Sequence, residues 1–330
     1  MCTALLWAGC GSSHPTSPDA PRAEAAGTPL VFTVPPVDPA VVDFILPLGN
    51  LNPPDHTLPS DHIYFYVGFL RRENRNVPVV APAGGVVEAV LRGSPDSKIL
   101  VRVSAAEQYY LDHVILNGDI QTGTRLTAGQ AMGTSGNAFG VDLGVINRNR
   151  TLSFANPARY PDETLHADAA LRFYAEPVRS QLYAMVRREG DGLDGRIDYD
   201  IPGRLSGNWF LQGLPVSQSA DVTAGASELA FVFDNVRPSE AVVSSGGLLG
   251  LTGPYRIHAG ATPFAEVSPD SGVVAYRLAQ SGGTFGVGSP NIVATLLVEM
   301  TAADRIRVEL IFGAAVVPPV IGSAARTYVR

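Results

Sequence analysis

Two histidines and an aspartate crowd the stretch His56-Thr57-Leu58-Pro59-Ser60-Asp61-His62-Ile63-Tyr64-Phe65. Imidazole and carboxylate are the side chains that hold zinc and move protons. Further along, His113 follows Asp112, and Asp142 stands between Val141 and Leu143. Two histidines with one or two carboxylates make an acceptable zinc donor set. The plainer alternative is that these polar groups satisfy backbone at turns and strand ends, as Asp and Ser do near prolines. Asp61 is the weaker ligand if it shares a strand with His62, because adjacent strand side chains point to opposite faces. His56 sits beyond Pro59 and reaches the same place only by folding back.

The elements that must position these groups are strands. The chain has 330 residues, enough for two domains, with 34 Gly and 26 Pro. It is 45% hydrophobic and 17% charged. That mixture favours short strands and tight turns over long helices. Segments 30–34, 41–46, 63–69, 77–90, 98–103, 109–116 and 141–146 read as strands, with Gly84-Gly85 as a turn. Residues 151–204 change character. Leu171, Phe173, Val178, Leu182, Met185 and Val186 recur at roughly helical spacing, and a short helix is expected from Pro177 until Gly190-Asp191-Gly192. From Gly203 the strand pattern resumes, and Arg305 to Leu310 alternates strictly, as a strand with one wet face does.

Composition also excludes. The net charge is −7, and the densest basic run, Arg71-Arg72-Glu73-Asn74-Arg75, is mixed in sign, so nucleic acid is not an expected partner. The cysteines are Cys2 and Cys10, which leaves no disulfide framework or thiolate zinc site in the body of the chain. No segment after residue 30 is long and apolar enough to span a bilayer as a helix. The start, Ala4-Leu5-Leu6-Trp7-Ala8-Gly9-Cys10, resembles the end of a bacterial lipoprotein signal, with Cys10 as the lipidated residue. A Ser/Pro/Ala-rich tether follows, through Gly27. The basic n-region is missing, and Trp7 stands where Leu is usual.

A second resemblance lies in the body. Val79-Val80-Ala81-Pro82-Ala83-Gly84-Gly85-Val86-Val87, then Tyr109-Tyr110-Leu111-Asp112-His113, then the glycine-glutamine run from Gly123 to Gly136, occur in the order found in lysostaphin-like (LytM-type) zinc peptidases. Those enzymes cut peptidoglycan cross-bridges. The resemblance covers about a quarter of the chain and implies an antiparallel, barrel-sandwich β domain. It places His62 at the first zinc-ligand position and His113 at a transition-state-stabilising position. The aspartate ligand expected four residues after His62 is Tyr66. The closing His-x-His pair falls on Asp142-Leu143-Gly144, so its second, zinc-binding histidine is glycine. His62 and Asp142 would then lie on adjacent strands with His113 nearby, and Tyr64, Tyr66, Tyr110 and Asn137 would line the cleft. Biotinyl and lipoyl carriers share the hairpin grammar, but their tip lysine has no counterpart at Arg125, Leu126 or Thr127.

The fold expected is mainly β: a LytM-like domain over 28–150, a connector with a short helix over 151–204, and a second sandwich or barrel over 205–330, with 1–27 as signal remnant and tether. The function expected is that of an exported, lipid-anchored envelope protein of peptidase ancestry. It would act as a non-catalytic binding module for peptidoglycan or a partner protein, touching the membrane only through its anchor. Two readings compete with it. One is a zinc endopeptidase with altered ligands, in which His62, Asp142, His113 and more remotely His56 hold the metal, and His113 serves catalysis. The other is a structural barrel-sandwich adaptor. Ser135, His166 and His258 read as turn, surface or structural residues, and Asp191, Asp194, Asp198 and Asp200 as a solvated turn in preference to a calcium loop.

Overall fold

Alternating apolar residues need a second layer to bury them, and this chain supplies it twice. The computed structural model describes residues 29–70, 76–93, 96–136, 140–213, 225–282, 288–314 and 320–330. Cys10, the tether, the Arg71–Arg75 run and Asn137 lie outside the described residues.

The first sheet has ten strands. They are β1 (Val42–Leu46), β2 (Ile63–Val67), β3 (Pro78–Val80), β4 (Gly85–Arg92), β5 (Ser97–Arg102), β6 (Glu107–Leu116), β7 (Arg125–Leu126), β8 (Ala131–Ser135), β9 (Gly140–Asn147) and β10 (Ala167–Asp168). The main path runs β1-β2-β9-β6-β5-β4-β7. All its pairings are antiparallel, so the two faces of each strand stay in phase with those of its neighbours. Ile63, Phe65, Leu143, Tyr109, Leu111 and Ile99 fill one face, and each is nearly or fully buried. The opposite face carries His62, Tyr64 and Tyr66, with Gly140, Asp142 and Gly144 across from them and Tyr110 and Asp112 beyond. The period of two thus sends apolar residues to the core and the polar set to the other side.

Two expectations change here. Residues 30–34 do not form a strand. Phe32 makes one isolated parallel bridge to Tyr174, and Pro35 and Pro36 stop the run. The helix after Pro177 is also shorter than the spacing suggested. After α1 (Asp162–Leu165), α2 (Val178–Tyr183) is six residues long. The chain then returns to the sheet edge, where Arg187 N–H donates to the Ile45 carbonyl at 2.9 Å. The sheet thus captures residues whose spacing alone favours helix. Leu152, Phe154, Leu171, Tyr174 and Leu182 belong to the same core as β1–β9, so much of 151–204 packs as part of the first body.

The second body settles the choice between sandwich and barrel. β11 (Gly207–Leu211), β12 (Glu228–Phe233), β13 (Ala241–Gly246), β14 (Thr252–Ile257), β15 (Val273–Gln280), β16 (Ile292–Ala302), β17 (Arg305–Phe312) and β18 (Arg326–Val329) form a closed barrel. β11 pairs with β18, so no edge is left open. Trp209, Phe231, Phe264, Tyr276, Tyr328 and Met300 fill the barrel core. The barrel docks on the polar face of the first sheet. Ala230, Val232 and Val242 pack with Leu51 and Tyr199, and Val236 packs with Phe44, Leu46 and Tyr64. The Thr57 hydroxyl donates to the Gly225 carbonyl at 2.8 Å, and Glu189 N–H to that of Val236 at 2.8 Å.

Candidate functional site

The docked barrel does not cover the sheet completely. It leaves a cleft of about 320 Å³ bordered by the 55–62 loop, β6, the 154–164 segment and the start of the barrel. His56, His62, His113 and Asp142 all line it, as does Tyr110. Tyr64 and Tyr66 share the sheet face but stand beside the cleft. Tyr64 packs its ring 4.7 Å from that of His62, and Tyr66 stacks on Phe44 at 4.8 Å.

His62 is the hub. It ends the loop before β2, and the pairing of Tyr64 with Asp142 brings β9 alongside. His62 Nδ1 lies 3.0 Å from Asp61 Oδ1, and Nε2 makes an ion-pair contact of 3.3 Å with Asp142 Oδ2. Nε2 has no hydrogen-bond partner among the described residues, so this contact is an ion pair. Asp61 also accepts from the Tyr110 hydroxyl at 2.8 Å and from Thr164. Burial disfavours an imidazolium here, yet the two flanking carboxylates win and push His62 up to about 10. Asp142 and Asp61 are held below the usual carboxylate range by the same partner, against their own burial. His56 packs its ring 5.2 Å from that of His62. Burial, and then the neighbouring His62 charge, lower it to about 4, so it stays neutral.

Asp61 is therefore not turned away, as strand alternation suggested. It precedes β2, where the period of two does not apply. His113 reaches the site by a related escape. Leu111 pairs with Ile99 and Val114 with Ser97, so β6 carries an extra residue there. His113 sits in that bulge at φ +62°, the left-handed region, and is the non-glycine residue so placed among the described residues. Its Nε2 lies 3.5 Å from Asp142 Oδ2 and its Nδ1 3.2 Å from Asp96 Oδ2. Its N–H donates to Asp112 Oδ1 at 2.7 Å. Burial opposes protonation of His113, but Asp142, Asp112 and Asp96 together raise its pKa.

The zinc that the resemblance implies can be tested against these donors. Tyr66 and Gly144 stand at two of the three ligand positions. A Cβ at Gly144 would lie inside the Tyr110 ring, so a tyrosine fills the space of the missing histidine. His62, the remaining donor, faces a carboxylate from each nitrogen, and these carboxylates favour its protonated form over the neutral ring that a metal needs. Among the described residues, the set of three whose donor atoms lie within 4.8 Å of one another is Asp96, Asp112 and His113. These groups already bond to each other. The residues present do not fit a peptidase zinc.

No family model matches the chain, and no curated protein matches it. Parts of it overlie solved structures. One is Helicobacter pylori Csd3, at 12% identity over 37% of this chain and 31% of that one, with a TM-score of 0.28. Another is the SpoIIQ-SpoIIIAH pore forming complex, at 13% identity over 46% and 94%, TM-score 0.33. A third is a zinc containing peptidase from Vibrio cholerae, at 18% identity over 36% and 38%, TM-score 0.27. The chain thus spans about a third of the length of Csd3. These are partial likenesses of backbone.

Three cleft residues carried no signal in the sequence. Arg159, Asn208 and Glu228 come from a turn and from two barrel strands. Only docking of the barrel on the sheet brings them to the cleft.

Proposed function

We propose that this chain is an exported envelope protein of peptidase ancestry whose cleft binds the peptide part of peptidoglycan without hydrolysing it. The peptidase-like order of motifs between His62 and Val145 supports the ancestry, and the lipoprotein-like residues before Cys10 support export and anchoring. The observation that carries the non-catalytic reading is the Tyr110 ring over Gly144. It fills the ligand space with a group whose own hydroxyl is bound to Asp61. His62 is spent in the same network. A charged imidazolium between two carboxylates is a poor general base, because it has no free nitrogen to receive a proton.

The test uses the full chain purified without added metal and incubated with purified sacculi. The expected result is retention on the sacculi, no soluble fragments released, and under about a tenth of an equivalent of zinc. Stoichiometric zinc with fragment release, both lost in His62→Ala, would overturn this reading in favour of an endopeptidase with altered ligands. No retention on sacculi would overturn the peptidoglycan assignment and leave a partner protein as the ligand.

A further inference from the structure

The two sides of the cleft differ in one respect. On the sheet side the charged groups are paired with one another. Lys98 Nζ is 2.8 Å from Glu163 and 4.0 Å from the Tyr110 ring centroid, and the His62 network is closed. On the barrel side, three polar groups lack partners. Arg159 Nε is buried with no hydrogen bond, and its guanidinium lies 5.0 Å from the Phe210 ring centroid without a carboxylate partner among the described residues. Asn208 Oδ1 is buried without a donor, while Asn208 Nδ2 donates to the Tyr160 hydroxyl at 3.1 Å. Glu228 has no hydrogen-bond or ion-pair partner among the described residues, and burial alone pushes its carboxyl up to about 8.

These groups share one surface for a structural reason. Phe210 and Glu228 are cross-strand partners, so their side chains emerge on the same face of the barrel wall. Asn208 lies two residues before Phe210 on β11 and shares that face. Arg159 reaches Phe210 from the turn at Pro157–Arg159. A buried donor or acceptor left unmade costs about 1–3 kcal/mol, and Arg159 Nε and Asn208 Oδ1 are two such atoms beside the half-buried Glu228 carboxyl, which marks a surface completed by something else. A guanidinium fork matches a carboxylate, and an amide oxygen with a carboxyl group matches N–H donors. The cleft, at about 320 Å³, is the size of a small-ligand pocket.

We propose that the barrel side of the cleft is a subsite for the carboxylate end of a short peptide, held by Arg159, with the peptide's N–H groups on Asn208 Oδ1 and Glu228. This rests on the reading of the cleft as a peptide-binding groove. It assigns the discriminating contact to the barrel and not to the peptidase-like sheet.

The test is a binding titration of the full chain with tetra-alanine carrying a free C-terminal carboxylate, and with its C-terminal amide. The wild-type chain is expected to bind the acid at least about tenfold more tightly than the amide. Arg159→Gln is expected to erase that difference at an unchanged thermal midpoint. Glu228→Gln is expected to keep it. Equal affinity for acid and amide in the wild-type chain overturns the proposal, and that comparison needs no variant. A preference that survives Arg159→Gln overturns it too. Retention on sacculi without acid–amide discrimination sinks the subsite and spares the envelope reading. Discrimination without retention does the reverse.

Discussion

At the scale of residues, the cleft holds two adjacent histidines in opposite protonation states. His62 is raised to about 10 by Asp142 and Asp61, and His56 is lowered to about 4 by burial and by the His62 charge. A histidine raised on folding contributes stability that is whole below its ordinary value, near 6.5, and is lost as the pH climbs through about 10. A histidine lowered on folding contributes stability that is whole above 6.5 and is lost as the pH falls towards about 4. The two limbs meet near pH 6.5, where the thermal midpoint of the wild-type chain is expected to peak. His113, also raised, steepens the alkaline limb, and the lowered Asp61 and Asp142 add to the acid loss below the usual carboxylate range. His56→Gln should flatten the acid limb. His62→Ala should flatten the alkaline limb and cost about 3–5 kcal/mol at neutral pH, because it strands two buried carboxylates. Thermal melts from pH 4 to pH 10 decide it; a peak that stays put in both variants would contradict the assignment.

At the scale of elements, the sheet decides which side chain occupies which space. Tyr110 pairs with Gly144, and the absent side chain on β9 is what lets the ring lie flat across it. Gly144→Ala should therefore cost about 1–3 kcal/mol, read from a urea transition, because backbone and ring cannot both hold their places. The converse variant is more informative. Tyr66→Asp and Gly144→His together with Tyr110→Ala restore the family's donors and empty the space between them. That triple variant is expected to take up one equivalent of zinc, whereas Tyr66→Asp with Gly144→His alone is not. Elemental analysis after dialysis distinguishes them. The residue types were legible before the fold was known, since Tyr66 and Gly144 stand at ligand positions of a recognisable motif. What replaced the histidine was not, because Tyr110 belongs to another strand and only antiparallel register sets it over Gly144.

At the scale of the molecule, the barrel and the first sheet are joined by polar contacts as well as apolar packing. Asp200 accepts from Ala155 N–H on one side and from Asn208 N–H on the other, each at 2.8 Å. Gly207 lies against Asp200 at φ +112° with no room for a Cβ, so the barrel's first strand passes close over that carboxylate. Arg330 then clamps the entry to the barrel. It donates to the carbonyls of Asn208, Ile201, Leu205 and Ser206, and its guanidinium lies 4.1 Å from the Trp209 ring centroid. Arg330→Ala removes a charged donor from each of these carbonyls, although Leu205, Ser206 and Ile201 keep a second one from Trp209 Nε1, Ile201 N–H and Arg204 N–H, and it removes the stacked cation. It should lower stability by at least about 2 kcal/mol, and a urea midpoint equal to wild type would refute the clamp. Because Asn208 and Phe210 sit on the clamped strand, the same variant should weaken binding of tetra-alanine.

The sequence by itself determined the β class, the order of the peptidase-like motifs, and the presence of Tyr66 and Gly144 where the peptidases it resembles carry zinc ligands, because each is written in local residue type and spacing. His62, His113 and Asp142 could be named for the same reason. Tertiary structure alone decided the rest. Asp61 joins the site because it lies two residues before β2 and outside its alternation, and His113 because a bulge breaks that alternation. Phe32 stays out of a strand, and the residues after Tyr183 leave the helix for the sheet edge, because partners far away in the chain compete with local propensity. Barrel closure depends on β11 meeting β18, more than a hundred residues apart, and no local pattern encodes that pairing. The cleft itself exists only where the barrel rests on the sheet. Arg159, Asn208 and Glu228 acquire a shared surface there through docking, and a periodicity confined to single strands carries no trace of it.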